Sequence, residues 1–238
     1  MQYLEIEKLG EISREEFEAV KPYPFVNMPG LLTEHGFQSL LATMPNLSVF
    51  DHSVGKERPG GQVPHDRYSL EYASETRVPE PWKEFIGELC SDRYRNTIAR
   101  LMSANRIRLR FHWHYTPGGG AVSPHVDSPR EHGSHLFFFN SEDDWDPGWG
   151  GNTLILDDGE RLGVNSAPAL EDFDREIACN SIGNYSTIIK RSDHAWHALR
   201  PINSPEGEFR RLFAVVVIPN TYYWKIRDRI IGKRKHAY

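Results

Sequence analysis

Two periodicities divide this chain. Up to about residue 104, apolar side chains recur at helical spacing: Phe37, Leu40, Leu41 and Met44, then Trp82, Phe85, Ile86 and Leu89, then Tyr94, Ile98, Leu101 and Met102. Positions i, i+3, i+4 and i+7 share one face of a helix, so each run predicts an amphipathic helix with a single buried side. Start signals agree with these runs. Ser13-Arg14-Glu15-Glu16 fits a capping box, Thr33 precedes the first run and Ser91 the last; a hydroxyl at that point satisfies an amide that the helix leaves open. Between helices, Asp51 to Asp66 is rich in Gly, Pro and charge and reads as a mobile loop.

From Arg106 the period becomes two. Arg106, Arg108, Arg110, His112 and His114 alternate with Ile107, Leu109, Phe111, Trp113 and Tyr115, the pattern of a half-buried strand. Further strands are expected at His135–Asn140, Asn152–Leu156, Tyr185–Ile189 and Arg211–Ile218, separated by turn signals such as Pro147-Gly148 and Asp158-Gly159. Helices followed by many short strands predict an α+β fold, its core a double-stranded β-helix or jelly roll with N-terminal supporting helices. We read 1–238 as one domain: 1–104 mainly helical support, 105–220 the jelly-roll core and 221–238 a basic tail.

Composition narrows the function classes. With 39% hydrophobic and 26% charged residues the chain is an ordinary globular sequence, and a formal net charge of −5 gives no reason to expect nucleic acid or an anionic membrane as partner. The basic stretch Lys225 to Lys235 reads as a solvated surface. Cys90 and Cys179 are the only cysteines and form no CxxC pair, so reduced thiols are expected. The charged N-terminus has no apolar core of a signal peptide, and the longest strongly apolar run, Leu212 to Ile218, is too short to span a bilayer. A cytoplasmic protein is expected.

The candidate chemistry lies in Ser123-Pro124-His125-Val126-Asp127 and Ala195-Trp196-His197-Ala198-Leu199-Arg200-Pro201. In an extended strand residues i and i+2 point the same way, so His125 and Asp127 could grip one ion without a special turn. With a further histidine they make the donor set of a 2-His-1-carboxylate site, which binds Fe(II) on one face and leaves the other open. The order of motifs resembles the Fe(II)/2-oxoglutarate-dependent dioxygenases, in particular their prolyl 4-hydroxylase-like branch, from about Arg106 to Pro219. Tyr115-Thr116-Pro117-Gly118 leads into the HxD, Trp149-Gly150-Gly151-Asn152-Thr153 is similar to that branch's Gly-Gly strand start, and Gly183 to Ile189 followed by His197-Ala198-Leu199-Arg200-Pro201 resembles its strand and distal histidine.

Carried over, the resemblance implies Fe(II), 2-oxoglutarate and O2 as cofactor and cosubstrates, with hydroxylation of a C–H bond as the outcome. It implies His125, Asp127 and His197 as iron ligands, with His194 the alternative to His197. The cosubstrate's far carboxylate calls for an arginine, whose planar fork suits it: Arg211 is preferred and Arg210 is its close competitor, since neighbours on a strand face opposite sides and only one can point inward. Phe213 stands where the branch often has a small residue. Tyr115 is a second candidate for that carboxylate. Arg106, Arg108, Arg110, His112 and His114 could make a basic groove for an anionic substrate; if Tyr115 points inward, they share the opposite face, and a solvated or helix-packed exterior is the favoured reading. His132 and His135 are expected in structural roles. The substrate is open among a small molecule, a peptide and a sugar. A cupin-like metalloenzyme without 2-oxoglutarate, and a non-catalytic jelly-roll binding module, are the competing readings.

Overall fold

Two long strands, β4 (Ile107–Pro117) and β11 (Phe209–Pro219), form the spine of the molecule, paired antiparallel from Phe209 opposite Pro117 to Pro219 opposite Ile107. The computed structural model describes residues 1–53, 65–220 and 237–238. Most of the loop expected at Asp51–Asp66 and of the basic tail at 221–238 lies outside the described residues. Around the spine the chain builds a seven-stranded sheet in the order β1-β9-β6-β11-β4-β3-β2. Its other members are β1 (Phe25–Pro29), β2 (Asp51–Ser53), β3 (Arg67–Glu71), β6 (Gly133–Phe138) and β9 (Tyr185–Lys190). A four-stranded sheet faces it, ordered β5-β10-β7-β8, from β5 (Val122–His125), β7 (Thr153–Asp157), β8 (Arg175–Cys179) and β10 (His197–Leu199). Every pairing is antiparallel. This is the expected jelly-roll layering of two sheets.

Among the described residues the α-helices are α1 (Ile6–Glu11), α2 (Arg14–Ala19), α3 (Glu34–Ala42), α4 (Glu80–Leu89) and α5 (Asp92–Leu101). Three begin where the sequence indicates: Ser13, Thr33 and Ser91 each accept a hydrogen bond from the amide three residues on. The N-terminal region is less purely helical than its periodicity suggests, because β1, β2 and β3 come from it and occupy both edges of the large sheet.

The main core lies between the helices and one face of that sheet. Trp82 of α4 meets Trp113 of β4 and Phe213 of β11, each at 5.1 Å between ring centres, and Phe85 meets Phe137 of β6 at 5.4 Å. Since strand side chains alternate, committing Leu109, Phe111, Trp113 and Tyr115 to the helices turns Arg110, His112 and His114 toward the second sheet.

Candidate active site

β5 and β10 pair so that His197 stands directly opposite His125. Paired residues of an antiparallel ladder share a face, and the two rings lie side by side, 4.3 Å between centres. Asp127 follows β5 at once, with Oδ1 3.6 Å from His197 Nε2. One ligand atom from each of the three falls within 4.8 Å of the others. His125 Nδ1 lies 2.9 Å from the carbonyl of Ser123, and His197 Nδ1 lies 3.0 Å from that of Ala195. A carbonyl only accepts, so both Nδ1 atoms carry the proton and both Nε2 atoms carry the lone pair that a cation ligand needs. The Ser134 hydroxyl donates to Asp127 Oδ2 at 3.4 Å from the facing sheet. Two imidazoles with fixed tautomers and one carboxylate suit an ion such as Fe(II). His194 is held elsewhere, its Nδ1 2.9 Å from Asp158 Oδ2.

These residues open on a cavity of about 510 Å³ between the sheets. Its wall on the large sheet is a grid. β11 contributes Arg210, Leu212, Ala214 and Val216, β6 contributes Ser134 and Leu136, β4 contributes Arg110, His112 and His114, and β3 contributes Arg67, Ser69 and Glu71. One side of the grid is thus largely apolar and the other wholly polar.

Arg210 projects into the cavity, and Arg211 does not line it. Arg210 is 5% exposed; its Nε donates to the Gly151 carbonyl, its Nη2 to Thr153 Oγ1 at 2.8 Å, and its guanidinium lies 5.2 Å from the centre of the Phe138 ring. Gly151 holds φ at +98°, a backbone conformation that side chains disfavour. Burial lowers the Arg210 pKa to about 10, so it remains a cation at neutral pH. It forms no ion pair among the described residues. Arg211 lies on the opposite face, paired with Asp144.

Tyr115 shares that outer face because it stands opposite Arg211 in the ladder; its hydroxyl donates to the Pro45 carbonyl at 2.9 Å, and burial raises its pKa. Arg211, the preferred residue for the cosubstrate, and Tyr115, the second candidate, therefore lie away from the cavity that the competitor Arg210 enters, and the exterior position expected for Arg110, His112 and His114 is overturned with them. The shared cause is the placement of Tyr115. The alternation along β4 was legible, but Trp113 and Phe111 were the better guide to its core face.

Three further features went unread in the sequence. His65 is buried with its ring 4.6 Å from that of His125. Glu71 takes two hydrogen bonds from Arg110, at 3.1 and 2.8 Å. His114 is held well below the ordinary histidine range, first by burial and then by the positive field of Arg67, His112, Arg210 and His65. Of the two histidines expected to be structural, His135 lies in the helix-facing core, 2.9 Å from the Tyr94 hydroxyl, and burial lowers its pKa to about 3. His132 is also lowered, by burial and then by Lys190. No helix among the described residues is long and apolar enough to cross a membrane.

No protein-family model matches the chain, and no curated protein sequence matches it. Solved structures do. A prolyl hydroxylase from Trichoplax adhaerens, in complex with a peptide fragment of the hypoxia inducible factor oxygen degradation domain, is 16% identical, with a TM-score of 0.64 over 90% of each chain. A prolyl-4-hydroxylase from Pseudomonas putida is 13% identical, with a TM-score of 0.60 over 87% of this chain and 99% of that one. The non-heme alpha ketoglutarate dependent carbocyclase SnoK from nogalamycin biosynthesis is 13% identical, with a TM-score of 0.59 over 88% and 85%. The chain shares their fold.

Proposed function

We propose that this chain is an Fe(II)- and 2-oxoglutarate-dependent oxygenase acting, as one domain, in the cytoplasm on a small-molecule, peptide or sugar substrate. His125, Asp127 and His197 would hold the metal through two Nε2 atoms and a carboxylate. When bound, Fe(II) with 2-oxoglutarate and O2 supplies oxidative decarboxylation to succinate and CO2, coupled to hydroxylation of a substrate C–H bond. The chain's own work is positional. The Ser123 and Ala195 carbonyls fix the imidazole tautomers, and Ser134 orients the Asp127 carboxylate, at a cavity walled by the two sheets.

The observation that carries the reading is Arg210. A buried guanidinium with no carboxylate partner among the described residues, in the cavity that also holds the His–Asp–His group, calls for an anionic ligand. Arg210, in place of Arg211 and Tyr115, would bind the far carboxylate of 2-oxoglutarate. Jelly-roll neighbours of different activity support the fold and leave the substrate open.

Anaerobic titration of 2-oxoglutarate into the Fe(II)-loaded protein tests this. Binding is expected to produce a weak visible charge-transfer band. Arg210→Ala should retain Fe(II) and lose about 2–5 kcal/mol of cosubstrate affinity, roughly 30- to several-thousand-fold, whereas Arg211→Ala should leave that affinity nearly unchanged. Fe(II) binding without 2-oxoglutarate binding would favour a cupin-like metalloenzyme; binding of neither would favour a non-catalytic module.

A further inference from the structure

The cavity has a second arginine, and its surroundings differ from those of Arg210. Along β11, Arg210 stands opposite Thr116, and Val216 stands opposite Arg110. At about 3.3 Å per strand residue, those positions are roughly 20 Å apart. The two arginines therefore occupy opposite ends of one cavity. Val216 is also paired with Ser134 of β6, whose hydroxyl reaches Asp127. Arg110 thus shares a cross-strand row with a residue touching the candidate metal ligand, two strand spacings or about 10 Å away. It stands beside the candidate metal group, at the end of the cavity away from Arg210.

Arg110 also carries a partner that Arg210 lacks. Its Nε and Nη2 both donate to Glu71 Oε1, and the pair lines the cavity with side-chain exposures of 10% and 34%. Arg110 Nη1 and Glu71 Oε2 make no hydrogen bond among the described residues. The pair therefore presents, side by side, an unused donor edge of a cation and an unused oxygen of an anion. His112 stands opposite Glu71 in the ladder and extends the polar strip. No Phe, Tyr or Trp lines the cavity among the described residues, so this wall provides no aromatic platform for a sugar or prolyl ring.

Stability alone does not account for such a pair, because a buried ion pair is commonly no more stabilising than packed apolar residues of the same volume. β11 and β6 place apolar residues at comparable inward positions of the same wall. A lone buried cation suits an anion, as at Arg210; a neutralised pair with one free edge on each partner suits a ligand carrying both charges.

We infer that the Arg110–Glu71 pair is the recognition site for the primary substrate, and that this substrate is a small zwitterion, an amino acid, with its carboxylate on Arg110 and its ammonium group on Glu71. The inference rests on the oxygenase reading for the word substrate, and on the pair's own geometry for the ligand class. A cavity of this volume is within the range of small-molecule sites.

The test uses the full chain loaded with Mn(II) and 2-oxoglutarate. Common α-, β- and γ-amino acids are screened by the paramagnetic broadening of their proton resonances, beside N-acetyl derivatives that lack the ammonium, carboxamides that lack the carboxylate, neutral polyols and a prolyl peptide. At least one zwitterion should bind, and its single-charge analogues should bind roughly 10- to 100-fold more weakly, the range for losing a hydrogen bond to a charged group. Arg110→Met and the isosteric Glu71→Gln should each weaken the zwitterion by a similar factor, with Mn(II) and 2-oxoglutarate affinities unchanged; Arg110→Lys should recover part of the loss. Glu71→Gln keeps the test decisive should Arg110→Met fail to fold. Binding of polyols or the peptide in preference to every zwitterion, absence of any zwitterion binding, or zwitterion binding indifferent to both substitutions would overturn the inference. Failure of the oxygenase reading is visible separately, as loss of 2-oxoglutarate binding in the unsubstituted protein; the same screen with Mn(II) alone then still decides whether the pair takes zwitterions.

Discussion

The two faces of β4 and β11 share a backbone and have opposite chemistry. Toward the helices stand Leu109, Phe111, Trp113 and Tyr115 with Phe213, Val215 and Val217, all nearly or fully buried in one apolar cluster. Toward the second sheet stand Arg110, His112 and His114 with Arg210. The first face holds the fold; the second sets the polar groups of β4 and Arg210 beside Leu212, Ala214 and Val216 of β11 and lines a cavity that the fold must hold open. The contrast shows where each kind of residue can be changed. Truncation on the apolar face leaves a void and lost contacts, which is a stability effect. Substitution on the cavity face removes a charge or a donor aimed into the cavity, which is a binding effect.

The sharpest way to break this division is Trp113→Ala. Its ring is fully buried and contacts Trp82, Tyr72 and Phe213, so denaturant unfolding should register a loss of about 3–5 kcal/mol. Metal affinity, measured where the variant is still folded, should be unaltered. A matching loss of stability in Arg210→Ala would mean that the two faces are not functionally separate.

Next in size is the metal pair of substitutions. His197→Ala should weaken metal binding by more than about 100-fold, since losing a ligand exceeds the loss from an outer-shell partner. His194→Ala, which touches Asp158 instead, should weaken it far less. Calorimetric titration with Mn(II) separates the two, and the reverse order would move the third ligand three residues upstream.

The smallest expected effect concerns His135, the polar exception on the helix-facing side. Its pKa is lowered from 6.5 to about 3 by burial. Between those values the unfolded chain binds a proton that the folded chain refuses, so stability is complete above pH 6.5 and lost as pH falls toward 3. This one group should contribute a slope of about 1 kcal/mol per pH unit in that window. His135→Gln retains a partner for Tyr94 and should flatten the urea-unfolding profile between pH 4.5 and 6.5 by that amount; an unchanged slope would show that His135 is not buried in its neutral form.

The sequence by itself determined the elements whose cause is local. The hydroxyls of Ser13, Thr33 and Ser91 cap helices because the amide they satisfy is three residues away, and the alternation from Arg106 fixes a strand with two unlike faces. It also placed His125 and Asp127 together, since a spacing of two in extended chain already does so. Tertiary structure decided what depends on distant partners. β1 and β10 are short and acquire their ladders only by pairing with remote strands. His197 was separated from His194 by its place opposite His125. Which face of β4 turns inward was decided by the fit of Trp113 and Phe213 against Trp82 of α4, and that one choice carried Arg210 into the cavity and Arg211 with Tyr115 out of it. Alternation specifies that two faces differ; only the packing of a second layer specifies which of them is the inside, because a strand read alone has no neighbour to bury against.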